Sequence, residues 1–121
     1  MKRILAAVVV ALGMVGVALA GGGWGTTHSL AGGGVALTNT QANTVWVPVA
    51  VLWKFSGATD ATVTVERVSQ SNTYLLGSAS VSNATSAVWV PEAGYPFALG
   101  DVLRVTSTVT NGAVQVIRKG E

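Results

Sequence analysis

Thr44-Val45-Trp46-Val47-Pro48-Val49-Ala50-Val51-Leu52-Trp53-Lys54-Phe55 is the most strongly patterned stretch of this chain. Val45, Val47, Val49, Val51, Trp53 and Phe55 share one parity, and successive side chains of a strand point to opposite faces. The stretch therefore predicts a β-strand with a continuous apolar face. The opposite parity holds Trp46, Pro48, Ala50, Leu52 and Lys54, so the second face is also largely covered. Pro48 has no N–H to donate to a ladder, which implies an edge position, a bulge or a break at that point.

The same grammar extends outward. Valine and threonine dominate from Val35 onward, with no long helical period. Val35–Thr38 predicts a short first strand, and Ser56–Ala61 a turn carrying Gly57 and Asp60. In Ala61–Val68, Val63 and Val65 face one way and Thr62, Thr64 and Glu66 the other, the alternation of a strand wet on one side. Thr73–Leu76 and Ser78–Val81 are short strands, or one bent strand, interrupted by Gly77. Thr85–Val90 follows and stops at Pro91. Residues 91–96 (Pro-Glu-Ala-Gly-Tyr-Pro) predict an exposed loop. Asn111-Gly112, between Val102–Val109 and Ala113–Lys119, predicts a type I′ hairpin, because both central residues of that turn need positive φ.

About seven or eight short antiparallel strands with regular turn signals and no helix point to an all-β fold. The expected architecture is a small two-sheet β-sandwich, Ig-like or jelly-roll, over residues 35–121. In class, though in no motif, it resembles the valine- and threonine-rich sandwiches of bacterial surface proteins and virus particles.

Two segments precede the predicted domain. Residues 1–20 combine Lys2 and Arg3 with an apolar run ending in Ala18-Leu19-Ala20, the pattern of a secretory signal peptide cleaved before Gly21. The alternative is an uncleaved anchor, although the run is short for a span and is weakened by Gly13 and Gly16. The mature chain is expected to be exported and to carry no membrane span. Residues 21–34 are half glycine, and ordering them is costly in backbone entropy. They predict a flexible arm, or one that orders on a neighbour through Trp24 and Leu30.

Of the 121 residues, about 100 remain past the signal, one domain's worth. Past residue 20, Lys54, Arg67, Arg104, Arg118 and Lys119 balance Asp60, Glu66, Glu92, Asp101 and Glu121. The formal charge of +2 therefore comes from the signal. No surplus of clustered cations exists to hold phosphates, which argues against nucleic acid as a partner. So sparse a set of charges repels neighbouring copies weakly. The chain has no cysteine, which removes disulfides, thiolate metal sites and a cysteine nucleophile.

Little points to chemistry. His28, the only histidine, sits in the glycine-rich arm, where a general base would lack a rigid partner. Asp60 and Asp101 fall in turns and Glu66 on a wet face. Glu92 shares its loop with Tyr95 and Phe97, and with Asp101 it is the best available carboxylate pair for hydrolysis. No cofactor or metal is expected. The aromatics are more suggestive. Trp89, Tyr95 and Phe97, with Glu92 beside them, form a candidate sugar-stacking platform, and Trp24, Leu30, Trp46 and Pro48 are candidate partner contacts. The function expected is a non-catalytic structural or adhesive module that assembles with copies of itself or docks on a cell-surface or virus-particle structure. A carbohydrate-binding module and, behind it, a small secreted hydrolase are the alternatives.

Overall fold

The computed structural model describes residues 17–19 and 23–120. These residues form seven strands and no helix. The strands are β1 (Val17–Leu19), β2 (Gly23–Ser29), β3 (Gly34–Thr38), β4 (Trp46–Ser69), β5 (Asn72–Trp89), β6 (Val102–Ser107) and β7 (Gly112–Gly120). All pairings among them are antiparallel and belong to one sheet of order β1-β2-β7-β4-β6-β3, with β5 on the other edge of β4.

β4 is the spine. Its first half, Trp46–Phe55, pairs with β7, and its second half, Val63–Val68, pairs with β6. β5 accompanies it from Val51 to Ser69 on the opposite side. Between the halves the ladder is irregular, with register shifts between Lys54 and Thr59 and between Thr59 and Ala61. At this irregularity the Asn83 N–H donates to Asp60 Oδ1 at 2.8 Å, and Asn83 itself takes φ of 48°. The sheet curls there, and the apolar faces of its halves meet in one core. Val51, Trp53, Phe55, Val114 and Val116 come from the first half, and Val63, Val65, Leu103 and Val105 from the second. Complete burial of side chains of this size contributes about 1.5–3 kcal/mol each, and this term drives the curl.

Several expectations change. Ser56–Ala61 does not reverse the chain; β4 runs through it as one 24-residue strand. The segments around Gly77 and Asn83 likewise join into one 18-residue β5. Polar turn-like residues are tolerated inside these strands because they occupy the bend, where side chains face water.

Pro48 marks a bulge, one of the options its missing N–H allowed. Pro48 lies opposite Arg118 and Ala50 opposite Ile117, leaving Val49 as the extra residue. Before the bulge Trp46, Val47 and Pro48 are all buried, on both parities, and the extra residue Val49 is exposed.

Asn111-Gly112 does not close a type I′ hairpin. β6 and β7 do not pair with each other; they follow one another along the same edge of β4. Gly112 has φ of 146°, and a Cβ there would lie 2.1 Å from the Lys54 carbonyl oxygen. The glycine serves a close backbone approach to β4 rather than a reversal.

From Gly23 onward the glycine-rich segment pairs with its own chain. β2 pairs along its full length with β7, from Gly23 opposite Lys119 to Ser29 opposite Ala113. Leu30 has no exposed surface, and its N–H bonds to the Gly112 carbonyl. The ladder and the buried leucine offset the entropy that made a flexible arm the expectation. Apart from β1, the signal segment of residues 1–20 lies outside the described residues.

Gly112→Ala is expected to destabilise the fold by about 1–3 kcal/mol, the scale of a strained backbone position. A lower urea midpoint at unchanged m-value checks this; an unchanged midpoint would show the approach to Lys54 to be unimportant.

Candidate functional site

The aromatic residues singled out in the sequence do not gather around the 91–96 loop. Three of them gather at one end of the sheet, in a ladder of rings and guanidinium groups. Trp24 on β2 lies opposite Arg118 on β7, which lies opposite Pro48 on β4. The Arg118 guanidinium carbon sits 5.1 Å from the centre of the Trp24 ring and 4.9 Å from that of Trp46. Trp46 stacks on Phe97, with centroids 4.7 Å apart and planes at 4°. The Arg67 guanidinium lies over the Phe97 ring, at 5.6 Å. Each cation–ring contact is worth about 0.5–2 kcal/mol and each ring pair about 0.5–1.5 kcal/mol.

Backbone bonds hold the ladder in place. Trp46 and Phe97 exchange N–H···O bonds in both directions. The buried Asn39 side chain donates to the carbonyls of Thr44 and Phe97 and accepts from the Gln41 N–H. Phe97, buried without remainder, thereby pins the loop after Trp89 to the start of β4.

Asp101 terminates the ladder. Its carboxylate accepts from the Ser69 hydroxyl at 2.6 Å and the Ala98 N–H at 2.9 Å, and pairs with Arg67 at 3.4 Å. Burial pushes the Asp101 carboxyl up, but the Ser69 and Ala98 hydrogen bonds and the Arg67 charge together hold it below the usual carboxylate range. A carboxylate engaged in this way is a structural group, with little freedom to act as base or nucleophile.

Arg118 has no carboxylate partner among the described residues. Its Nη2 donates to Thr26 Oγ1 at 3.4 Å, and its Nε is buried with no hydrogen-bond partner among them. Burial lowers its pKa, yet a guanidinium stays charged in a protein. The faces of Trp24 and Trp46 supply the electrostatic attraction a counter-ion would otherwise provide. His28, on the same side of β2, shares a 2.8 Å hydrogen bond with Thr26 Oγ1. Its pKa is lowered by burial and by the Arg118 charge.

The remaining candidates do not join this ladder. Trp89 is half-buried against Gly77, where a Cβ would lie 2.2 Å from Trp89 Nε1. Tyr95 packs against the core, and Glu92 is exposed on the loop. Trp89, Tyr95 and Phe97 therefore do not present a shared ring platform to solvent. Glu66 pairs with Arg104 at 2.8 Å on the surface. No group of three or more His, Asp or Glu side chains among the described residues could hold a metal ion.

The sequence reading did not find Arg118, Arg67 and Asn39. The alternation of β7 offered a signal: Val114, Val116 and Arg118 share one parity, which puts an arginine on the buried face. Two surface features also escaped it. A depression of about 190 Å³ lies beside Trp24 and Trp46, with Thr40, Gln41 and Thr44 on its wall. A groove of about 400 Å³ crosses the outer face of the first half, between Leu52, Val88, Gln115 and Thr27.

No protein-family model matches this chain, and no curated protein does. Among solved structures it is similar to the Drosophila NLP-core, whose crystal structure was described for pentamer formation and histone binding. The TM-score is 0.52 at 12% identity, over 82% of this chain and 97% of that one. At that identity the likeness concerns the fold, an all-β one.

Trp46→Ala is expected to cost about 3–5 kcal/mol, since it removes the ring shared by Arg118 and Phe97; urea denaturation followed by far-UV circular dichroism measures it. The lowered Asp101 pKa contributes stability that is full above the unfolded value of about 3.9 and is lost as pH falls through the folded value. Asp101→Asn should remove that component of the acid transition, which a denaturation series from pH 6 down to about 2 tests; an unaltered acid limb would rule the coupling out.

Proposed function

We propose that this chain is an exported, non-catalytic structural or adhesive β-module that assembles with copies of itself or docks on a larger cell-surface or virus-particle structure. The two halves of the curled sheet act as the layers of a small sandwich, and the outer face of the first layer is the docking surface.

The observation that carries this reading is the chemistry of that face. Leu52 stands opposite both Val88 and Gln115, and Ala50 opposite Ile117, all on the side away from the core. Val88, Val90 and the bulge residue Val49 are 57%, 63% and 38% exposed. The groove of about 400 Å³ runs through this apolar area, with Lys54 and Thr27 on its border. A contiguous apolar patch rimmed by polar groups is the surface expected of a protein contact. His28 and Asp101, the histidine and one of the carboxylates weighed for chemistry, are already engaged in hydrogen bonds within the fold. The Drosophila protein of similar fold forms pentamers, which adds weight to self-association. Among the described residues, no helix is long and apolar enough to cross a membrane.

Carbohydrate binding is a second reading, favoured by the depression at Trp24 and Trp46. Thr40, Gln41 and Thr44 there supply uncharged hydroxyl and amide groups beside an indole, a lining suited to a single sugar ring.

Light scattering on the purified chain across a concentration series tests the first reading. A defined oligomer or a growing polymer is expected. A strict monomer at all concentrations would reject self-assembly, and quenching of tryptophan fluorescence by a panel of monosaccharides, abolished by Trp24→Ala, would then support the second.

A further inference from the structure

We propose that two copies of this chain join through the free edge of β5, pairing antiparallel about a two-fold axis so that their sheets become continuous. The inference names the contact for the assembly proposed above and rests on that reading for its occupant.

Among the described residues, β5 is hydrogen-bonded on one side only, to β4. Its other side presents unpaired backbone N–H and C=O groups, a template for another strand. Proteins that must keep such an edge apart from others shorten it, charge it or place proline in it. β5 is neither short nor charged nor interrupted by proline, and its register shifts fall outside Gly77–Val81. It is 18 residues long, and its sequence from Asn72 to Trp89 holds no charged residue, no histidine and no proline. The other edge of the second half is different. β3 is only five residues long and is bounded by the Leu30–Gly33 turn and the Asn39 side-chain network.

The register narrows the contact to Gly77–Val81. This run pairs without interruption with Val65–Ala61 and lies between the irregularity at Leu76 and the bend at Asn83. Ser78 and Ser80 are exposed and point away from the core, opposite Thr64 and Thr62, and the Ser80 and Thr62 hydroxyls are 3.1 Å apart. Small side chains on both faces let a second backbone approach to the ordinary strand spacing of about 4.8 Å.

A second copy fits this edge for a specific reason. In a two-fold antiparallel pair, each residue of the run meets the same run in the partner, so any charge would face its like. An uncharged strand is free of that repulsion. The geometry also keeps the outer faces of both copies on one side, placing their apolar first-half faces on a common surface.

The test compares the purified chain with a Ser78→Lys/Ser80→Lys variant, by sedimentation velocity across a concentration series. A parallel variant carries Ser78→Glu/Ser80→Glu. The unmodified chain should associate, and each charged variant should raise its dissociation constant about tenfold or more. An equimolar mixture of the two variants should restore association, because opposite charges then meet. Either variant suffices should the other fail to fold. Amide hydrogen exchange over residues 77–81 of the unmodified chain should slow as concentration rises. Association of the unmodified chain that both charged pairs leave unchanged, with exchange at 77–81 independent of concentration, would overturn the β5 contact while leaving self-assembly standing. A chain monomeric at every concentration would overturn both.

Discussion

Backbone pairing along β4 is the constraint on which the rest of this molecule depends. One strand from Trp46 to Ser69 serves as partner to β5 on one edge and to β7 and β6 in succession on the other. Because β6 and β7 both take their register from β4, the Gly112 region need not reverse the chain. It only has to follow the bend. The alternation of Val51, Trp53 and Phe55, then Val63 and Val65, puts large apolar groups on one side of both halves. Burying that side against itself requires the sheet to curl where the ladder is irregular, between Lys54 and Ala61. The hydrogen bond from Asn83 to Asp60 secures the curl at its outer surface.

The open end of the curl is closed by a different kind of contact. Trp24, Arg118, Trp46, Phe97, Arg67 and Asp101 form a single run of stacked rings and cations, drawn from β2, β7, β4, β4's far end and the loop before β6. Arg118 carries its charge into a half-buried position between the faces of Trp24 and Trp46, with the Thr26 hydroxyl as its hydrogen-bond partner among the described residues. Such an arrangement holds because ring faces are negative and a guanidinium is weakly hydrated. It also explains the ordering of β2: a segment rich in glycine is held by a tryptophan that stacks on Arg118 at one end and a buried leucine at the other.

The surface that remains is unusual in what it lacks. The outer face of the first half carries exposed valines around a groove, and β5 carries an edge without charge or proline. Both are costly features for a protein that must stay apart from its neighbours. The low charge of the sequence, which keeps repulsion between copies weak, is consistent with them. His28 and Asp101, by contrast, are engaged in hydrogen bonds within the fold.

The sequence by itself determined the all-β class, through the two-residue alternation of Thr44–Phe55 and Ala61–Val68. It also determined that Pro48 must disturb its ladder. These are local properties, carried by the pleat and by the missing proline N–H. Only the tertiary structure decided that Ser56–Ala61 bends rather than turns, that Asn111-Gly112 continues along β4, and that residues 23–29 form a strand. Each depends on a partner distant in sequence: β5 for the bend, Lys54 for Gly112, and β7 for β2. The site was legible in part. Trp24, Trp46 and Phe97 stood out as aromatics, but their meeting with Arg118 depends on the strand order β2-β7-β4, which only long-range pairing of the folded chain specifies.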